Sequence, residues 1–122
     1  VSLFHLDKGA DSGNLIFQEK FKIDNNDTAR DLIYRISLIL VNNLKNILLS
    51  WPDTPSISQD EDEATYTSRR RPEDGEIITD MTPLEAERLV RALNGPYPSA
   101  FIVMDNGERL YINEASIYEF KN

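Results

Sequence analysis

The chain has 122 residues, of which 40% are hydrophobic and 28% charged, a composition typical of a soluble globular protein with its own core. Its formal net charge of −8 disfavours a DNA or RNA partner, because a polyanion is held by an excess of basic residues. The absence of cysteine and the single histidine argue against a disulfide framework, a structural zinc site and a hydrolase triad, so we predict no metal.

Two further features concern the compartment and the start of the chain. No apolar run approaches the roughly 18 residues that span a membrane, and the N-terminus lacks a signal-peptide pattern. We therefore expect a cytoplasmic protein without a membrane partner. The first residue is Val1 rather than Met, from which we expect the chain to be a fragment.

The N-terminal region predicts two strands joined by a loop. Residues 1–6 and 14–23 are rich in β-branched and aromatic residues, as strands are. In the loop, Asp11 lies between Gly9 and Gly13, and the two glycines allow a sharp turn and the close approach of a ligand. Such a carboxylate is either a general base or partner of a catalytic histidine, or simply part of a turn, and composition alone favours the turn.

A helix is predicted over residues 28–50, with Thr28 or Asp27 as its N-cap. Its apolar residues recur at helical spacing, so we expect one face of this helix to be buried against a sheet or another helix. These residues are Leu32, Ile33, Ile36, Leu40, Leu44, Ile47 and Leu48. For His5, on the first strand, a packed or hydrogen-bonded role is favoured over a functional one.

Residues 52–80 are interpreted as a long connecting segment, because they lack periodicity and contain three prolines. The acidic run over residues 60–63 lacks the spacing of an EF-hand loop and is interpreted as a solvated surface. The guanidinium groups of Arg69, Arg70 and Arg71 suit a phosphate or a carboxylate ligand, but they could equally pair with the acidic run. The residues alone leave both alternatives open.

The C-terminal region predicts a capped helix. Thr82 is its predicted N-cap, Pro83 its first residue and Glu85 the partner of Thr82 in a capping box, while Gly95-Pro96 is the stop signal. After the helix, residues 100–105 and 108–120 flank Asn106-Gly107. This arrangement predicts a β-hairpin with a two-residue turn.

Three segments of the chain resemble, in the right order, the folate-dependent formyltransferases. FHLDKGADSGNLIFQEKF resembles the part of those enzymes in which a strand, a G-x-D-[ST]-G loop and a second strand follow one another. QDEDEATYTSRRRPEDGEI resembles their linker, and RLVRALNGPYPSAF resembles the start of their small C-terminal domain. The three segments cover most of the chain, and the combination is more specific than any one of them.

The resemblance implies an α/β fold and the C-terminal half of such an enzyme. Residues 1–51 would be the end of a Rossmann-like formyltransferase domain, with two strands and a long helix. Residues 52–80 would be the linker, and residues 81–122 the start of a small barrel-like α+β C-terminal domain. Because such a piece exposes apolar surface, we expect missing sequence, a second copy in a homodimer or a partner chain to cover it.

The resemblance also implies the site. The family's catalytic group is an Asn, a His and an Asp; only the Asp has a match, Asp11, and His5 does not take the place of the family histidine. The Asn and His would stabilise an oxyanion, while Asp11 would support the imidazolium and help to relay the amine proton. The cofactor would be 10-formyltetrahydrofolate, or 5-formyltetrahydrofolate or tetrahydrofolate as a bound analogue, contacted by Gly9, Ala10 and Asp11. Without the Asn and His, we expect the chain alone to be inactive.

The resemblance leaves two acceptors, the amino group of a nucleotide-linked sugar and initiator methionyl-tRNA. We favour the sugar, because the negative charge opposes tRNA and SRRRPEDG resembles the linker of the sugar enzymes. Arg69, Arg70 and Arg71 would then bind the substrate. A third alternative is a noncatalytic module that pairs with a partner through an exposed sheet edge.

Overall fold

The computed structural model describes residues 1–118, in which the chain forms two compact units. The first unit consists of residues 1–23 and 34–68, and the second consists of residues 24–33 and the residues from 69 onward. The predicted α/β class is confirmed, with two α-helices and two small sheets in the described part of the chain. The domain boundaries at residues 51 and 80 stay a prediction.

The first unit begins with the predicted pair of strands, β1 (Ser2–Phe4) and β2 (Leu15–Gln18). The strands are antiparallel, with Leu3 opposite Phe17, and a β-bulge lies between Leu3 and Phe4. Both strands are shorter than the sequence predicts. The residues between them are therefore free to form an extended loop, which carries Asp11.

The long helix α1 (Ala29–Leu49) has nearly the predicted bounds. Thr28 is its cap, since the backbone N–H of Asp31 donates to Thr28 Oγ1 at 3.3 Å. The Asp31 carboxylate accepts in return from the backbone N–H of Thr28 at 2.9 Å. Both bonds satisfy N–H groups that have no partner within the first turn of a helix.

The expected burial of one face of α1 is wrong for the described residues, because none of its side chains is buried. Val41, Leu48 and Leu49 are 69%, 62% and 75% exposed. With Leu44 and Lys45 they line an open apolar groove of about 460 Å³. Helical periodicity correctly identifies an apolar face, but it does not identify what covers that face.

Contrary to the sequence-based expectation, α1 is long and apolar enough to cross a membrane, by its length and composition alone. Polar residues such as Asn42 and Asn43 interrupt the apolar sequence of the helix, so the chain contains no unbroken apolar run of that length. One such helix is weak evidence of a membrane, since helices that pack inside soluble proteins have the same length and composition.

The second unit is built on helix α2 (Pro83–Leu93) and a hairpin of β3 (Ala100–Val103) and β4 (Arg109–Ile112). Its core contains Val90, Ala100 and Phe101, each at most 2% exposed. Two 3₁₀ turns lie in the connecting segment, at Glu61–Glu63 in the first unit and at Pro72–Gly75 in the second. The sheets of the described residues have two strands each, so the predicted barrel-like form is not confirmed.

The predicted two-residue turn of this hairpin is wrong. Met104 N–H donates to the Glu108 carbonyl at 2.8 Å, and Gly107 N–H donates to the Met104 carbonyl at 2.8 Å. The loop therefore contains three residues, with Gly107 in the left-handed region at φ 83°. Since Asn106 does not have a positive φ, the two-residue turn that requires two such residues cannot form. Of the predicted second strand, residues 119 and 120 lie outside the described residues.

The predicted cap of α2 is confirmed. Glu85 N–H donates to Thr82 Oγ1 at 3.3 Å, and the Glu85 carboxylate accepts from Thr82 N–H and from the Thr82 hydroxyl, both at 2.8 Å. These two bonds, that to the backbone first, lower the pKa of Glu85 below its ordinary value of 4.5. A lowered pKa in the folded state stabilises the fold above pH 4.5, and this contribution is lost as the pH falls through the lowered value.

We expect Thr82→Ala to lower the free energy of unfolding by about 1 kcal/mol at pH 7, because the cap and one bond to the Glu85 carboxylate are lost. The difference should narrow as the pH falls below 4.5 and through the lowered pKa of Glu85, because protonation of the carboxylate weakens that bond in the wild type as well. Urea denaturation of the full-length protein at several pH values measures both effects. Thr79→Ala is the control, since Thr79 is exposed and its side chain makes no hydrogen bond to a described residue. An equal loss in both variants would contradict the capping role.

Candidate active site

The candidate site lies in the loop between β1 and β2, in the first unit. The loop is closed by a backbone bond from His5 N–H to the Asn14 carbonyl, 3.0 Å long. Asp11 is exposed, and its φ of 58° makes it the one described non-glycine residue in the left-handed region. Aspartate tolerates this conformation better than most residues, and such strained residues are concentrated at functional sites.

Asp7 organises the first half of the loop. Its Oδ1 accepts from Gly9 N–H at 2.8 Å and from the Ser12 hydroxyl at 2.7 Å. The bond from Ser12, and then that from Gly9, lower the pKa of Asp7 below its ordinary 3.8. Asp7 is therefore ionised at neutral pH, and its interactions hold the backbone on either side of Ala10 and Asp11.

Gly13 closes the second half of the loop and is buried. A Cβ at this position would lie 1.7 Å from the His5 carbonyl oxygen, which no packed atom allows. At Gly9 a Cβ would lie 2.2 Å from Ser12 Oγ, the end of a side chain that can rotate away. The two glycines that the sequence indicates therefore have different roles, and only Gly13 is required by a fixed backbone contact.

The segment after α1 packs on this loop through an isolated bridge. Leu15 and Ile57 exchange two backbone hydrogen bonds, each 2.8 Å long. Two residues farther on, the Gln59 side-chain amide donates to the Asp11 carbonyl at 2.7 Å and to the Gly13 carbonyl at 2.6 Å. The backbone on both sides of Ser12 is thus fixed by a residue from a distant part of the sequence.

An open cleft of about 650 Å³ adjoins the loop. Its lining is mostly polar, with four carboxylates and one aromatic side chain. The lining residues are Ala10, Asp11, Ser12, Leu15, Gln18, Ser58, Gln59, Asp60, Glu61, Glu63, Ala64, Thr65 and Tyr66. A cleft of this volume is within the range of small-molecule sites.

Two other features singled out in the sequence, His5 and the acidic run, make local structural contacts. The His5 ring is half-buried against Trp51, with the ring centroids 5.3 Å apart, as expected for a packed histidine. In the acidic run, Asp60 Oδ1 accepts from Asp62 N–H at 3.0 Å and so caps a 3₁₀ turn. Within residues 1–118 no group of His, Asp and Glu side chains is arranged to hold a metal ion.

Arg69, Arg70 and Arg71 are exposed and belong to the second unit, whereas Asp11 belongs to the first. Arg70 and Arg71 line a mainly apolar cleft of about 400 Å³, together with residues that include Leu89, Leu93 and Tyr97. Among the described residues of the second unit, no carboxylate forms an ion pair with these three guanidinium groups. They are therefore free, within that unit, to bind an anion.

Two residues of the site were missed in the sequence, Asp7 and Gln59. The role of Asp7 could have been identified from the sequence, since an Asp two residues before a glycine often accepts a hydrogen bond from that glycine's N–H in a turn. The role of Gln59 could not, because its two acceptors are 46 and 48 residues away in the sequence. Contacts at such a separation are fixed by the fold and not by local pattern.

Comparison with known proteins identifies the family. The model of the family described as "Formyl transferase, C-terminal domain" matches residues 69–122. The methionyl-tRNA formyltransferase of Lachnospira eligens is 35% identical over 121 residues, which are 96% of this chain and 37% of that protein. The chain thus spans little more than a third of the length of that relative.

Solved structures have the same fold. A methionyl-tRNA formyltransferase from Clostridium thermocellum is 29% identical, with a TM-score of 0.72 over 91% of this chain and 53% of that one. A sugar N-formyltransferase from Shewanella sp FDAARGOS_354 is 20% identical, with a TM-score of 0.67 over 95% of this chain and 49% of that one. At 20% identity, the second comparison supports the fold alone.

We expect Gly13→Ala to lower the free energy of unfolding by about 1–3 kcal/mol, because the new methyl group meets a backbone carbonyl. Gly9→Ala should cost less than about 1 kcal/mol, since the Ser12 side chain can rotate and the unfolded chain loses entropy. Rotation of Ser12 would also raise the pKa of Asp7 towards 3.8, which an NMR titration detects. Urea denaturation of the two variants tests the difference; a Gly9→Ala variant as unstable as Gly13→Ala would contradict it.

Proposed function

Because the chain belongs to the formyltransferase family and matches its C-terminal part, we propose that it is the later part of an enzyme that transfers a formyl group from 10-formyltetrahydrofolate to a primary amine. The observation that supports this proposal is the Asp11 loop. An exposed carboxylate, held in a left-handed conformation by a network of hydrogen bonds, adjoins a cleft of small-molecule size.

The described residues fit such a cofactor in part. Ala10 and Asp11 line the cleft, Gly9 lies beside them, and all three residues are exposed. When bound, the cofactor supplies the formyl group on an electrophilic carbon. We propose that Gly9, Ala10 and Asp11 contact it, and that the other contacts come from residues outside this chain.

Asp11 helps to remove the proton that the amine loses during transfer. A neutral amine that attacks a carbonyl carbon becomes cationic and must lose a proton to a nearby base. The Asp11 carboxylate either accepts this proton through water or stabilises a neighbouring imidazolium. The Asn and His that would stabilise the oxyanion match no position in this chain, so we propose that it is inactive without them.

We propose a nucleotide-linked amino sugar as the acceptor. The net charge of −8 opposes a long polyanion, whereas a short diphosphate needs only a few positive charges. Arg69, Arg70 and Arg71 supply such charges locally, and Arg70 and Arg71 line a cleft that also contains Tyr97. An arginine pair beside an aromatic ring suits a phosphate attached to a planar base.

Initiator methionyl-tRNA is the second candidate acceptor. It is favoured by the 35% identity with the methionyl-tRNA formyltransferase of Lachnospira eligens. The two acceptors differ in salt dependence, because only the tRNA contact releases many counterions. Rates of transfer from 10-formyltetrahydrofolate to each acceptor, measured with the full-length protein over a range of salt concentrations, distinguish them.

For the assembled protein we propose a cytoplasmic location and a covered α1. The exposed side of α1, with Val41, Leu48 and Leu49, would pack either against further sequence of the same protein or against a second copy in a homodimer. In either arrangement the helix is a core element and not a membrane span.

We expect Asp11→Asn in the full-length protein to lower kcat by about 10²–10⁴-fold with little change in KM, because the amide cannot accept the proton. Steady-state formyl transfer measures the effect. Asp53→Asn is the matched control, since Asp53 is exposed and its carboxylate makes no hydrogen bond or ion pair with a described residue. Wild-type kcat in Asp11→Asn would overturn the proposed role, and absence of transfer to any amine in the wild type would favour a noncatalytic module.

We expect the double variant Arg70→Gln, Arg71→Gln to raise KM for the nucleotide sugar about tenfold or more, since a hydrogen bond to a charged group contributes about 1.5–3 kcal/mol. Its kcat should change little. Arg88→Gln, which removes a charge from an exposed position of the same unit, should leave KM unchanged. An unchanged KM in the double variant would remove the arginines from the acceptor site.

A further inference from the structure

The position of Gln59 follows from the short antiparallel pairing of its segment with the loop. Leu15 and Ile57 face each other and exchange both backbone hydrogen bonds. In this register, the next pair two residues along is Gly13 and Gln59. There the ladder does not continue through the backbone: the Gly13 carbonyl accepts from the Gln59 side chain at 2.6 Å. A side-chain amide takes the place of a backbone donor.

The chemistry of this contact requires a donor. Both partners of Gln59 Nε2 are backbone carbonyls, those of Asp11 and Gly13, at 2.7 and 2.6 Å. A glutamine NH₂ group has two N–H donors, one for each carbonyl. Gly13 is buried and Gln59 is half-buried, so the bond is partly shielded from water, and an unsatisfied carbonyl there would be costly.

The two carbonyls are on either side of Ser12, directly after the left-handed residue Asp11. One side chain therefore fastens both peptide groups that determine the direction of the chain after Asp11. We infer that Gln59 is a positioning residue for the transfer reaction, which keeps the Asp11 carboxylate at the cleft without touching the reacting atoms itself. This inference rests on the role proposed for Asp11.

Glutamate at this position reverses the interaction with almost no change in shape. An ionised carboxylate is only an acceptor, so Gln59→Glu places two oxygens against the two carbonyls. Gln59→Met removes both donors without adding charge. Asn14→Asp is the matched control: it makes the same amide-to-carboxylate change beside Gly13, but Asn14 is exposed and the Ser56 hydroxyl, 3.4 Å away, can donate to a carboxylate.

The test is steady-state formyl transfer by the full-length protein. We expect Gln59→Glu to lower kcat about 10–100-fold, the cost of a small misplacement of a catalytic group, with KM for the amine changed less than about threefold. Asn14→Asp should stay within about threefold of the wild type in both constants. Hydrogen exchange at the His5 and Leu15 amides, which bond to Asn14 and Ile57, should accelerate in Gln59→Glu alone.

A double variant separates positioning from general destabilisation. If Gln59 acts through Asp11, Asp11→Asn with Gln59→Glu should be no slower than Asp11→Asn alone, whereas independent effects would multiply. The inference would be overturned if the losses in kcat of the two single variants multiply in the double variant. It would also be overturned if Gln59→Glu keeps the wild-type kcat while Asp11→Asn is impaired. Wild-type kcat in Asp11→Asn would instead overturn the proposed function. If Gln59→Glu does not fold, Gln59→Met provides the same comparisons.

Discussion

The candidate site depends on one close backbone contact, the approach of Gly13 to the His5 carbonyl. A Cβ at position 13 would lie 1.7 Å from that oxygen, so the loop can close only on a glycine. Once it is closed, Asn14 accepts from His5, Leu15 pairs with Ile57, and the short strands β1 and β2 stay in register. The left-handed backbone of Asp11 costs conformational free energy, and it persists because these contacts fix the residues around it.

How much could be predicted depended on the range of the interaction. The cap of α2 and the glycine-flanked loop are local, so Thr82, Glu85 and Asp11 could be selected from neighbouring residues. The prediction of a two-residue hairpin turn was wrong for a local reason, because Asn106 permits a positive φ but does not require one. Gln59 has partners distant in sequence, and the exposure of α1 depends on which surfaces meet the helix; helical periodicity specifies neither.

The two candidate acceptors differ in the surface charge that they require of the protein. Four carboxylates line the cleft at Asp11, which favours an amine that becomes cationic and opposes a nearby phosphate. Positive charge is concentrated instead at Arg69–Arg71, in the second unit. The two units therefore favour ligand groups of opposite charge, a cation at the first and an anion at the second. A tRNA would need an extended basic surface, whereas the formal net charge of this chain is −8.

The two units are stabilised by interactions of different range. The second unit has a small core around Phe101, together with a helix with a complete capping box and a regular hairpin, and the capping box and the hairpin are stabilised by local interactions. The first unit has short strands and an uncovered helix, and its loop is held by hydrogen bonds from distant residues. A carboxylate that must stay at a cleft benefits from such bonds, because each fixes direction as well as distance. The cost is a loop whose geometry depends on single residues, Gly13 and Gln59 above all.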